Sequence, residues 1–138
     1  MFLLDTNVIS ELRKVHKADR RVAKWAEQGA PGDHFLSVVT VLEVQLGAMR
    51  LERRDPAQGS KLRSWIDDYV LRQFRGRIIP IDTNIAVACA ALHVPDPRSE
   101  RDAWIAATAL VHDLTVVTRN TRDFESTGVR LLNPWDHS

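Results

Sequence analysis

The sequence holds one cysteine, Cys89, so an intrachain disulfide is excluded. Its setting in Ala86-Val87-Ala88-Cys89-Ala90-Ala91 suits a small thiol buried at a close helix contact, and a reducing, cytoplasmic compartment is the expectation. No apolar run is long enough to cross a bilayer. The opening Phe2-Leu3-Leu4 is interrupted by Asp5, which makes it too short for the core of a secretory signal. Repeats, low-complexity tracts and linkers are absent, and 138 residues are expected to form one domain, 1–138, around a single core. Charge of one sign is lacking too: the net charge is +1, which announces no polyanion binder. Lysine is missing after Lys61, so every later basic side chain except histidine is arginine. The planar arginine fork suits phosphate, although an arginine-rich surface is ordinarily just solvated.

What is present is an alternation of two periodicities. Met1 to Leu4 is a short apolar run that ends in Asp5, the pattern of a buried parallel strand. Helical spacing follows over Thr6 to Lys14 and again from about Asp19 to Gln28, where Gly29-Ala30-Pro31-Gly32 is expected to end the helix with a glycine cap. His34 to Val38 is β-prone, and Val39 onward turns helical until Arg54-Asp55-Pro56. A helix is predicted over Lys61 to Arg75, a strand over Arg77 to Asp82 and an alanine-rich helix over Thr83 to His93 with Asp82 as its cap. Pro95-Asp96-Pro97 breaks the pattern, a helix starts near Ser99, and strands follow at Thr115 to Thr118 and Val129 to Leu132. Strands alternating with helices predict right-handed crossovers and a three-layer α/β/α sandwich with a central, mainly parallel sheet.

Four acids stand out: Asp5, Glu43, Asp102 and Asp123. Each has a plain explanation as a helix cap. Asp5 precedes a helix, Thr40-Val41-Leu42-Glu43 matches a capping box, Ser99-Glu100-Arg101-Asp102 has the related form, and Asp123 precedes a short turn. Their distribution argues for more. Asp5 and the Thr118–Asp123 loop leave the carboxyl ends of two predicted buried strands, Asp102 opens the helix that feeds the second, and Glu43 lies early in the helix after strand two. Open α/β sheets bind ligands at that edge. Four clustered carboxylates repel one another, and a divalent cation relieves the conflict. Ligation by oxygen alone, with no histidine or cysteine alongside, points to Mg²⁺ or Mn²⁺, ions that activate water and neutralise a phosphate under in-line attack.

Leu3-Leu4-Asp5-Thr6-Asn7-Val8-Ile9-Ser10-Glu11-Leu12, Ser37-Val38-Val39-Thr40-Val41-Leu42-Glu43, Asp102-Ala103-Trp104-Ile105-Ala106-Ala107-Thr108-Ala109 and Thr118-Arg119-Asn120-Thr121-Arg122-Asp123-Phe124 resemble, in order, the blocks of a PIN-domain nuclease. The set is similar to the VapC toxins of bacterial toxin–antitoxin pairs, in particular the FitB-like branch. The resemblance implies metal-binding, catalytic roles for Asp5, Glu43, Asp102 and Asp123 with Mg²⁺ or Mn²⁺ as cofactor, and it implies that Thr6 and Thr118 orient ligands or water. Asn120 stands where some relatives carry an acid. An Mg²⁺/Mn²⁺-dependent endoribonuclease is implied, acting on RNA and leaving a 5′-phosphate and a 3′-hydroxyl. A homodimer is implied too, together with a VapB-type antitoxin that joins it in a larger complex and lays its C-terminal segment across the active-site groove.

Arg98, Arg101, Arg119 and Arg122 flank the acids and are the candidates for gripping RNA phosphates. Trp25, Trp65 and Trp104 sit on apolar stripes and are expected to pack in the core or an interface rather than stack on bases. The Val8/Ile9/Leu12 and Leu62/Trp65/Tyr69 stripes are candidate partner surfaces that a sequence does not separate from core. Two rival readings share this fold class. A response-regulator receiver needs an adjacent acid pair after strand one and a late lysine; Asp5 is followed by Thr6-Asn7 and no lysine follows Lys61. A non-catalytic partner-binding domain on the same fold is the other, and the intact acid set argues against it.

Overall fold

The computed structural model describes residues 1–14 and 16–136. Five strands, β1 (Phe2–Leu4), β2 (His34–Ser37), β3 (Ile78–Ile79), β4 (Thr115–Val117) and β5 (Arg130–Leu132), form one sheet in the order β3-β2-β1-β4-β5. Every pairing is parallel, with Leu3 opposite both Phe35 and Val116. The chain winds outward from β1 in one direction through β2 and β3, then returns to its other side as β4 and β5. The crevice that this reversal opens, at the carboxyl ends of β1 and β4, is where such a sheet receives ligands.

Side chains alternate across the strands, which builds a core on each face. Leu3, Ile79, Val116 and Leu131 face one side; there they meet Ile85 and Cys89 of α6 (Thr83–Leu92) and Ala103, Ile105 and Ala106 of α7 (Glu100–His112). Leu4, Leu36, Val117 and Leu132 face the other. There α1 (Thr6–Leu12), α2 (Arg20–Gln28), α3 (Val38–Arg54) and α4 (Pro56–Trp65) pack, α4 running through a π-helical turn at Ile66–Val70 into α5 (Leu71–Gln73). Each leucine or valine fully buried in these layers contributes about 1.5–3 kcal/mol. The expected α/β/α sandwich is thus the observed one.

Several local expectations are corrected. Val8 and Ile9 are core residues rather than a partner surface, and Leu12, Leu62 and Trp65 pack partly against the same core, which leaves Tyr69, 54% exposed, as the outlying member of its stripe. Trp25 is buried and Trp104 packs against the α6/α7 core, as their spacing predicted. Gly29 does follow α2 but lies in extended backbone (φ −98°) rather than the left-handed cap conformation. The helix expected from Lys61 begins at Pro56, where Asp55 accepts from the Gln58 N–H and proline occupies the first turn.

Within this added stretch, Gly59 lets α4 cross α3 closely. A Cβ at residue 59 would sit 2.2 Å from Glu52 Cα, so the two backbones meet where only glycine fits. Gly59→Ala, a change that helps most helices by about 1 kcal/mol, is therefore expected to lower stability by about 2 kcal/mol through overpacking. The check is a urea titration, with a lower midpoint and an unchanged slope; a midpoint equal to or above wild type would contradict the close crossing.

Candidate active site

Asp5 is delivered by the sheet itself. Its backbone N–H still pairs with Val117 O at 2.9 Å, in continuation of the β1–β4 ladder, and the next residue begins α1. The carboxylate is 7% exposed. Oδ1 accepts from the Thr6 N–H at 2.8 Å, so the capping role is real, but Oδ2 reaches across the sheet edge to accept from the Thr118 hydroxyl at 2.8 Å. Burial pushes the Asp5 pKa up; the hydrogen bonds from Thr118 and Thr6 oppose that, and the charges of Glu43 and Asp123 add to it.

Glu43 has no capping role. The N-cap of α3 is Ser37, whose side chain accepts from the Val39 N–H at 3.0 Å. Thr40 lies inside the helix and buries its hydroxyl without a hydrogen-bond partner among the described residues. The capping-box reading of Thr40 and Glu43 fails because the helix starts three residues earlier, directly off β2. One turn further in, Glu43 is released toward α1, where Oε1 accepts from the Thr6 hydroxyl at 2.7 Å. Arg101 Nη1 stands 3.7 Å from Glu43 Oε2. Among the described residues this is the one ion pair that reaches the four acids.

Asp102 sits in the first turn of α7, after Ser99, whose side chain makes no bond to the helix N–H groups. Its pKa is raised, first by burial and then by the charges of Asp5, Asp123 and Glu43, with the Ser99 hydrogen bond pulling the other way. Asp123 lies in the first turn of a 3₁₀ segment, Thr121–Thr127, capped by position by Asn120, and its N–H bonds Asn120 O at 3.0 Å. The charges of Glu43 and Asp123 reach Asp5, and those of all three reach Asp102, so the four acids share one region. Asp5, Glu43 and Asp102 line a cleft of about 430 Å³ with Lys14, Arg119 and Asn120. Asp102 also lines the adjoining cavity of about 540 Å³, which holds Asp123 and Arg98.

The acid-only donor set fits a hard divalent cation. Among the described residues, however, no three acid, histidine or cysteine side chains have the spacing to hold one ion as they stand.

The four arginines differ. Arg119 lines the cleft, with its guanidinium 5.2 Å from the Trp135 ring centre. Arg101 is engaged with Glu43. Arg98 is half-buried and spends its Nε on Leu92 O at 2.9 Å, a structural bond. Arg122 is exposed. Sequence reasoning missed Asn7, which hydrogen-bonds Asp5, Thr118 and Arg119. Its place two residues after a strand-end aspartate, in a first helical turn that it does little to stabilise, was the available signal. Lys14 and Trp135 also line the cleft, and nothing in their local sequence marks them. Lys14 pairs with Glu11 at 3.2 Å.

Comparison with known proteins agrees with this architecture. The PIN domain family model matches residues 2–129. The chain is 36% identical to VapC ribonuclease Y4jK of Sinorhizobium fredii over 143 aligned residues, covering 99% of each protein. It is also 36% identical to Toxin FitB of Neisseria gonorrhoeae, covering 98% of this chain and 99% of that protein. The crystal structure of FitAcB from Neisseria gonorrhoeae superposes with a TM-score of 0.89 at 35% identity, covering 99% of both chains. With its strand order, its strand-end acids and a family match over most of its length, this chain belongs to the PIN-domain family.

Proposed function

We propose that the chain is the toxin of a toxin–antitoxin pair, a PIN-domain endoribonuclease that cleaves RNA with Mg²⁺ or Mn²⁺ held by Asp5, Glu43, Asp102 and Asp123. The observation that carries the reading is the convergence of these acids, from four separate segments, on the crevice where the strand order reverses. Relatives named as a VapC ribonuclease and a FitB toxin, each matched over nearly their full length, support the same activity. A solved structure described as a toxin–antitoxin complex from Klebsiella pneumoniae, 30% identical with a TM-score of 0.71, supports an antitoxin partner. On this reading residues 1–138 act as one PIN domain, the toxin is a cytoplasmic homodimer, and the antitoxin's C-terminal segment crosses the acid cleft. Among the described residues no helix is long and apolar enough to cross a membrane.

A bound divalent ion supplies a Lewis acid for the phosphate and lowers the pKa of water. The chain's own residues do the rest. Thr118 and the Thr6 N–H fix the direction of the Asp5 carboxylate, and the Thr6 hydroxyl fixes Glu43. Arg119, at the rim of the cleft, meets substrate phosphate. In the hydrolysis, water oxygen bonds to phosphorus as the bond from phosphorus to the 3′ oxygen breaks. A carboxylate takes the proton that water gives up, and the departing 3′ oxygen is protonated from solvent. The ribose 2′-hydroxyl is not consumed.

Cleavage of a single-stranded RNA is therefore expected to stop in EDTA and return with Mg²⁺ or Mn²⁺. Asp5→Asn should reduce it by about 100-fold or more, the scale on which loss of one electrostatic stabiliser acts. Metal-independent cleavage, or full activity in the variant, would defeat the mechanism.

A second expectation concerns stability in EDTA. Asp102 has a raised pKa in the fold, so ionising it works against folding, and the penalty grows as pH rises from its ordinary value through the folded one. Asp102→Asn should melt a few degrees above wild type at pH 7.5, and the difference should shrink as the pH is taken below 4. Added Mg²⁺ should raise the wild-type melting temperature and leave that of the variant nearly unchanged. A variant less stable than wild type at pH 7.5 would contradict the charge conflict.

A further inference from the structure

Asn7 stands in the first turn of α1, and its side chain hydrogen-bonds outside that helix. Its Oδ1 accepts from the Arg119 backbone N–H at 3.1 Å, and Nδ2 donates to Asp5 Oδ2 at 3.3 Å and to Thr118 Oγ1 at 3.2 Å. A backbone N–H only donates, so the Arg119 contact settles which amide atom is oxygen. The same reasoning orients Thr118. Its hydroxyl oxygen accepts from the Asn120 N–H at 3.0 Å and from Asn7, so its single proton goes to Asp5 Oδ2. Between α1 and the loop after β4, Thr118 thus donates to Asp5, Asn7 donates toward both, and the Arg119 and Asn120 amides donate to Asn7 and Thr118.

The geometry points to a positioning role for Asn7: it ties the Asp5 carboxylate, the Thr118 hydroxyl and the backbone of Arg119 into one unit, so the direction of the first metal-binding acid and the placement of the loop carrying Arg119, Asn120 and Asp123 are set together. Asn7 acts through these groups and not on substrate. Asp5 Oδ2 accepts from both Asn7 and Thr118, which aims the carboxylate. The Arg119 main chain is held by Asn7 while its guanidinium lies over Trp135, so the cation at the rim of the cleft is fixed at both ends. Helix formation does not explain the residue, since asparagine is a poor helix former and Asp5 already caps α1. The consequence for catalysis rests on the metal-nuclease reading; the three-way tie does not.

Asn7→Ala and Asn7→Leu test it together. Leucine keeps the heavy-atom count and branching of the side chain and favours the helix, so it retains apolar packing at the position and cannot make the hydrogen bonds. In metal-free protein, NMR exchange of the Arg119 amide should quicken about tenfold or more in both variants. Without RNA, Mn²⁺ binding followed by electron paramagnetic resonance should weaken by about tenfold or more, the scale seen for partners that orient metal ligands. The melting temperature of Asn7→Leu should stay close to wild type. Wild-type Arg119 exchange or wild-type Mn²⁺ affinity in Asn7→Leu would overturn the role. A wild-type protein that takes up no Mn²⁺ would instead overturn the metal reading, and with it the catalytic half of this one; that outcome is distinguishable because it needs no variant.

Discussion

A carboxylate held almost out of water between the ends of two parallel strands is the constraint on which the rest of this molecule turns. Asp5 continues the β1–β4 ladder through its backbone while its side chain occupies the crevice made by the reversal in strand order. Burial opposes its charge, and the charges of Glu43 and Asp123 oppose it further. The fold answers with donors rather than with a buried cation. Thr118, Asn7 and the Thr6 N–H all point at Asp5, and they come from both sides of the crevice.

The remaining acids reach the crevice because each helix begins where its strand ends. Ser37 closes β2 and caps α3 in one step, which places Glu43 one turn into the helix, facing α1. Asp102 rides on the first turn of α7, whose far end feeds β4, and Asp123 follows β4 in the next segment. Only Arg101 among the described residues pairs with any of the four, at 3.7 Å and on the exposed side of Glu43. The cleft is thus left with unbalanced negative charge at its floor and arginine at its rim. A divalent ion and a phosphate chain complement such a distribution, and the proposed nuclease activity exploits it.

Two cores, one per face of the sheet, hold this arrangement rigid. The alternation of Leu3 with Leu4 and of Val116 with Val117 ties both layers to the same strands that end in Asp5 and Thr118. Packing on either face therefore determines where the acid and its hydroxyl partner stand. The close α3–α4 crossing at Gly59 serves the same end, since α3 carries Glu43.

Much of this was legible in the residues themselves, for a local reason. Strand and helix periodicity depend on nearest neighbours along the chain, so the alternation of elements, the parallel sheet and the strand-end positions of Asp5 and Thr118 followed from pattern alone. Asp82 as a cap followed in the same way, and its side chain does accept from the Ile85 N–H. Local pattern failed where a distant backbone made the decision. The helix expected from Lys61 starts at Pro56 and crosses α3 at Gly59, and Glu43 looked like half of a capping box until Ser37 took the cap. The separation of the arginines, with Arg98 spent on Leu92 O, Arg101 on Glu43 and Arg119 left at the cleft, has no sequence signature. Neither has the tie that Asn7 makes to residues 111 and 112 positions away. The sequence by itself determined which groups the molecule possesses and at which ends of which elements they lie. Only the tertiary structure decided which of them share hydrogens and charge, because those couplings act through space between segments that the chain order keeps far apart.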